Sequence, residues 1–161
     1  NSMWTVEELL RGLPRPRIPD AAWRATASHN SATAAAAFDF TRWSSGAPQQ
    51  PGMWFQIEMP ESLNVSELQF DSQVIAGAKG EPPTPTAPRG YRVAVSDDGK
   101  TWSEPVAEGR AEGRTTTITF ALVRAKALRI TQTADGDDTT PSSMERLRIY
   151  EAPSAPAGAL K

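Results

Sequence analysis

Cysteine is absent from this chain of 161 residues, which removes disulfide scaffolds, thiolate zinc sites and cysteine nucleophiles together and says little about redox compartment. Histidine occurs once, at His29, so a metalloprotease-type pair of histidines cannot form. No apolar run reaches membrane-spanning length, and no transmembrane segment is expected. Nor does any stretch gather Lys and Arg as phosphate-backbone binding requires. With a formal net charge of −2 and a pI near 5.5, nucleic acid is not an expected partner.

Catalytic signatures are missing as well. Glycoside hydrolysis needs two facing carboxyl groups, whereas Asp97 and Asp98 are adjacent and either point to opposite sides of a strand or lie in a turn. Ser28 stands beside His29 without the strand-to-helix elbow that exposes a nucleophilic serine. Phosphate-binding loop patterns do not occur. No enzyme activity is expected.

What remains is a chain of ordinary globular make-up, 39% hydrophobic and 22% charged, long enough for one domain with its own core. Val6, Leu9, Leu10 and Leu13 fall at helical spacing, with a capping box at Thr5 and Glu8, a staple between Trp4 and Leu9, and Gly12 with Pro14 at the exit. A short amphipathic helix is predicted over Thr5–Leu13. Pro14, Pro16 and Pro19 then read as a stiff connector. Residues 1–20 are therefore a helix and connector, 21–151 the domain, and 152–161 a linker rich in Pro, Ala and Gly. Asn1-Ser2-Met3 reads as a cloning remnant rather than a signal peptide, and the chain is expected to be part of a longer protein.

Within the domain the period is two. Phe55, Ile57 and Met59 alternate with Trp54, Gln56 and Glu58, and Leu68 and Phe70 alternate with Glu67, Gln69 and Asp71. Tyr91, Val93 and Val95 lead into Asp97-Asp98-Gly99-Lys100, a hairpin signal after which the chain is expected to resume at Thr101-Trp102. Further strands centre on Ile118 and Phe120, on Leu128 and Ile130, and on Leu147 and Ile149. The pattern predicts an all-β fold with two antiparallel sheets packed as a sandwich.

The motifs Trp23 to Asn30, Ala37-Phe38-Asp39 before Thr41 to Gly46, Pro51 to Ile57, Gly90 to Trp102, Ala127 to Ile130 and Met144 to Tyr150 occur in an order that resembles the discoidin, or coagulation factor 5/8 C-type, family, which includes family 32 carbohydrate-binding modules. The resemblance implies a jelly-roll β-sandwich of about eight strands, with ligands held by irregular loops at one end and with extracellular or periplasmic residence. It also implies a structural Ca2+ held by Asp39, Thr41, Glu145 and backbone carbonyls, since calcium takes six or more hard oxygen ligands. Only Phe40 separates Asp39 from Thr41 here, fewer residues than in the family, so the loop offers fewer carbonyls. The other reading is that Asp39 caps a turn while Glu145 pairs with Arg42 or Arg146. Asp135-Gly136-Asp137-Asp138 lacks the later ligands of an EF-hand loop and reads as a solvated turn.

Ser28 to Thr33, Val74 to Arg89, and Glu108 to Arg114 or Thr133 to Thr140 are the loops expected at the ligand end. His29, Asn30 and Arg89 supply donors and acceptors suited to a sugar. An aromatic platform is not evident: Trp23, Trp43, Trp54 and Trp102 match family positions packed in the sandwich, and the loop Val74 to Arg89 has no Trp, Tyr or Phe. The Pro-rich segment Glu81 to Pro88 reads as a variable loop or a polyproline-like spacer. Two functions compete: a module binding carbohydrate or a cell-surface glycan, and an interaction domain packed against a neighbouring domain. Lipid binding ranks below both, because Ala34, Ala35 and Ala36 are too small to anchor.

Overall fold

The structure, a computed structural model, describes residues 13–134 and 140–153. Among the described residues, ten strands and one 3-10 helix occur in the order β1 (Arg15–Arg17), β2 (Arg24–Ala27), the 3-10 helix (Ser31–Phe38), β3 (Trp43–Pro48), β4 (Trp54–Asp71), β5 (Val74–Ile75), β6 (Thr84–Pro85), β7 (Tyr91–Ser96), β8 (Ala107–Gly109), β9 (Thr115–Gln132) and β10 (Pro141–Glu151). Every strand pairing is antiparallel.

The long β4–β9 ribbon organises the sandwich. Its register breaks between Glu58 and Leu63 and again between Val65 and Glu67, and such irregularities bend a strand. The first half of β4 is flanked by β2 and β9, with β7 and β8 beyond; the second half is flanked by β10 and β9, with β1 beyond and β3 on the start of β10. Phe55, Ile57 and Met59 of the first half and Leu68 and Phe70 of the second are buried in one cluster with Val93, Leu128, Ile130, Leu147 and Ile149. The alternation seen in the sequence thus puts one face of each half into a shared core. At about 25 cal/mol per Å² of apolar surface, such a core dominates the stability of the domain.

Four features depart from the sequence reading or add to it. Arg15–Arg17 is not a connector but an edge strand, paired with Ile149–Glu151 and secured by Arg17 Nη1 donating to Glu151 Oε1 at 2.9 Å. The sheet therefore begins before residue 21. Edge position suits Pro16, whose missing N–H would leave a gap in an interior strand. The second change is at the Asp97–Lys100 turn: Gly99 takes the positive φ of 76°, but the strand partner of β7 starts only at Ala107. Asp98 explains the delay, since its carboxylate accepts the amides of Thr101 and Lys100, both at 2.8 Å, tying this stretch into a local cap rather than a ladder. Those bonds, with one from Ser96, lower its pKa from 3.8 to about 2.

Third, the alanine-rich stretch after the first loop is helical. Ala34 and Ala37 are fully buried, three residues apart, which is the repeat that stacks side chains on one face of a 3-10 helix. Small side chains let this helix lie close against β2 and β10. Fourth, the Pro-rich segment is neither loose nor a free spacer: Thr84–Pro85 pairs with Val74–Ile75, and Thr86 and Ala87 are buried. The predicted helix Thr5–Leu13, apart from an exposed Leu13, and the turn Asp135 to Asp138 lie outside the described residues.

Candidate functional site

Antiparallel register carries four segments to one end of the sandwich. Ala27 faces Phe55, Trp54 faces Thr131, and Tyr91 faces Gln132, so the segments 28–30, 49–53, 87–90 and the chain just after Gln132 all leave the sheet at the same end. His29, Asn30 and Arg89 are therefore brought to one end of the fold. Two buried side chains hold them there. The indole Nε1 of Trp43 donates to the carbonyls of both His29 and Asn30 at 3.2 Å, with its ring 4.9 Å from that of Phe55. Gln49, which is buried, donates from Nε2 to the Ala87 carbonyl at 3.0 Å and accepts the Arg89 amide at Oε1, 2.9 Å away.

The three side chains differ in what they can offer. His29 is exposed, and its Nδ1 lies 2.9 Å from Ser28 Oγ, which accepts the Trp54 amide at 3.0 Å. This leaves the Nε2 edge of the ring directed away from the chain that orients it. Asn30 is largely structural: it takes φ 52°, its Nδ2 donates to the Ser44 carbonyl at 2.8 Å, and it lies where a Cβ on Gly46 would stand, 2.7 Å away. Asparagine tolerates that left-handed backbone better than most residues. Arg89 Nη1 donates to the carbonyls of Pro85 and Ala87 at 2.8 and 3.1 Å, so its guanidinium also braces the Pro-rich loop. The Ser28–His29 contact has no carboxylate behind it among the described residues, and the Ser28 hydroxyl is engaged by Trp54, which is not the arrangement of an activated nucleophile.

Aromatic surface exists where the sequence showed none. Trp23 and Trp43 are core residues, at 5% and 3% exposure. Trp54 and Trp102 are instead half-buried on the outer face of the sheet, with the Arg129 guanidinium between them, 4.7 and 4.6 Å from the two ring centres. Gln56 Oε1 fixes that guanidinium through Nε at 3.1 Å and Nη2 at 2.7 Å. The alternation placing Phe55 inward had already placed Trp54 outward; the family resemblance had suggested the opposite. Trp54 stands beside Ser28 and so borders the His29 loop.

The proposed calcium ligands meet a cation of the protein's own. Asp39 faces its own turn: its Oδ1 accepts the Thr41 amide at 2.7 Å, and the Thr41 hydroxyl and amide together hold its pKa below the usual carboxylate range. Glu145 Oε1 accepts from Arg42 Nε at 3.1 Å, and Arg146 N–H donates to the Asp39 carbonyl at 2.8 Å. Among the described residues no group of three or more His, Asp or Glu side chains converges as a metal site. A guanidinium against Glu145 and a carboxylate turned into its own loop do not fit a calcium cage, which needs six or more oxygens directed at one point. The expected result is a thermal midpoint that is the same in millimolar CaCl2 and in EDTA, read by scanning calorimetry. A calcium-dependent rise of several degrees would show that the corner rearranges around the ion. Arg42 holds φ 74° and Arg146 φ 52°, a strained backbone that packing must enforce.

Comparison with known proteins agrees with this architecture. The family model for the F5/8 type C domain matches residues 22–147. No curated protein matches the chain in sequence. Among solved structures, the family 32 module of Clostridium perfringens NanJ in complex with galactose is 20% identical, with a TM-score of 0.66 over 86% of this chain and 100% of that one. Chitosan-binding module 1 from a chitosanase/glucanase of Paenibacillus sp. IK-5 is 25% identical, with a TM-score of 0.62 over 78% of this chain and 92% of that one. CpGH89CBM32-5 of Clostridium perfringens, in complex with GalNAc-β-1,3-galactose, is 19% identical, with a TM-score of 0.63 over 83% and 98%. With its jelly-roll sandwich and a family match over most of its length, the chain belongs to the F5/8 type C, or discoidin, domain family.

Proposed function

We propose that this chain is a non-catalytic carbohydrate-binding module that takes a neutral sugar at the loop end, with His29 and Arg89 as its polar contacts and the Trp54 edge as its apolar one. The observation that carries the reading is the pairing of an exposed, oriented imidazole with a half-buried indole at the mouth of a rigid loop cluster. Sugar sites combine a few placed hydrogen-bond groups with an aromatic face. Relatives of the same fold seen with galactose and with GalNAc-β-1,3-galactose support this reading. The module belongs to an exported protein, outside the cell or in the periplasm, and holds its attached partner near glycan. The absence of a helix long and apolar enough to cross a membrane among the described residues is compatible with that placement.

Calorimetric titration with galactose, N-acetylgalactosamine and chitosan oligomers tests it, together with a broad glycan array. His29→Ala is expected to cost roughly tenfold in affinity, about 1.4 kcal/mol, with an unchanged thermal midpoint because His29 is exposed. An array without a hit across neutral and amino sugars would overturn the proposal and leave packing against a neighbouring domain as the function.

A further inference from the structure

A second surface lies on the outer face of the sheet, away from the loop end. Ala22, Arg24, Glu58, Met59, Pro60 and Lys126 line an open cleft of about 360 Å³, within the size range of small-ligand sites. The β4–β9 register break after Glu58 opens it, since the ladder lapses there until Leu63. Arg24 stands directly across from Glu58 in the β2–β4 pairing. Yet none of Arg24, Glu58 and Lys126 forms an ion pair among the described residues. Two cations and one carboxylate thus face a shared concavity with their charges uncommitted.

The same face continues into the aromatic stack. Trp54, Gln56 and Glu58 alternate with buried Phe55 and Ile57, so all three point outward, and Trp54 lies about 13 Å from Glu58 at about 3.3 Å of rise per residue. Arg129, Arg24 and Lys126 against Glu58 give this face an excess of positive charge on a chain whose formal net charge is −2. A local field of one sign on an oppositely charged molecule selects for ligands of the other sign.

We infer that this face is a second binding surface, for an acidic oligosaccharide carrying carboxylates on its rings. Arg24 and Lys126 take the ring carboxylate, Glu58 accepts from sugar hydroxyls, and the exposed Pro60 meets the apolar side of the ring. A charged, polar lining with an exposed proline ring beside it suits a sugar better than a lipid, because sugars present hydroxyl edges and C–H faces at once. This site does not depend on the loop-end reading: Arg24 is separated from Ser28 by the whole length of β2.

Trigalacturonate is the probe, with galactotriose as its neutral counterpart, titrated by amide chemical shifts at low and high NaCl. Trigalacturonate is expected to perturb Arg24, Glu58 and Lys126 amides, with affinity falling at least tenfold in 0.5 M NaCl and at least tenfold in the Arg24→Gln/Lys126→Gln double variant. Both residues are on the surface, and an unchanged melting curve for that variant establishes that its fold is intact. His29→Ala should leave trigalacturonate binding unaltered, while the double variant should leave any loop-end binding of galactose unaltered. Equal binding of trigalacturonate to the wild type and the double variant, equal binding of galactotriose at this face, or no perturbation there at all would each overturn the inference.

Discussion

Replacing Trp43 by alanine is expected to cost about 3–5 kcal/mol of stability, the range for removing a buried tryptophan from a packed core. The ring is 3% exposed and lies tilted on Phe55, so its removal leaves a cavity between the first loop and the sheet. A second loss is local. Nε1 is the donor shared by the His29 and Asn30 carbonyls, and without it the loop that carries His29 is tied to the sheet by the Asn30–Ser44 and Ser28–Trp54 contacts but loses its bond to the buried core. Trp43→Phe separates the two effects: most of the packing stays, the donor goes, and the loss shrinks to about 1–2 kcal/mol. Urea denaturation measures both, and hydrogen exchange at residues 28–31 should show faster opening in each variant. A loss under about 1 kcal/mol for the alanine variant would show that this indole is not the pin between loop and core.

That role for Trp43 was half legible in the sequence. Its match to a packed family position predicted burial, and burial is what the structure has. Its hydrogen bond to two carbonyls thirteen and fourteen residues earlier was not legible, because a donor's target depends on tertiary placement. The same division runs through the fold. Strand halves with strict alternation, such as Phe55 to Met59 and Leu147 to Ile149, were readable since period two and burial are coupled by the pleat itself. Arg15–Arg17 was not, since its pairing partner is 134 residues away and its prolines mimic a linker.

Site residues divide in a similar way. Loop position was predictable for His29, Asn30 and Arg89, and all three reach one end. Their chemistry was not, because Asn30 and Arg89 spend hydrogen-bonding groups on the backbone of their own surroundings. Arg42 and Glu145 were named as one alternative to a metal site, and their 3.1 Å contact follows from a backbone at φ 74° that no sequence pattern announces. Trp54 carries the sharpest lesson: alternation with Phe55 assigned it to the outer face, and physical periodicity was the better guide than resemblance.

Gln49 drew no attention in the sequence, yet its alteration should have the largest effect on the ligand end. Its side chain ties its own loop to two other segments: Nε2 donates to the carbonyls of Ala87 and Pro141 at 3.0 and 3.4 Å, and Oε1 accepts the Arg89 amide at 2.9 Å. Ala87 is fully buried and its carbonyl keeps Arg89 Nη1 at 3.1 Å, so Gln49→Ala strands the Arg89 amide, whose acceptor is Gln49 Oε1. At about 1–3 kcal/mol for a stranded group, the expected loss is about 1–3 kcal/mol, with the Arg89 segment released. Gln49→Glu gives a sharper test. Its carboxylate can still accept the Arg89 amide but would set a negative oxygen against the Ala87 carbonyl, so burial and that clash raise the carboxyl pKa in the folded state. A raised folded value means that the native state holds the proton over a pH window in which the unfolded chain has released it, and stability therefore falls as pH rises through that window. This variant should be strongly destabilised at pH 7 and recover partly as pH falls toward 4, relative to the wild type at each pH. Chemical denaturation across that range reads the difference directly. A pH-independent loss would mean that the introduced carboxyl has turned out to solvent, and that Gln49 does not bind the three loops into one platform.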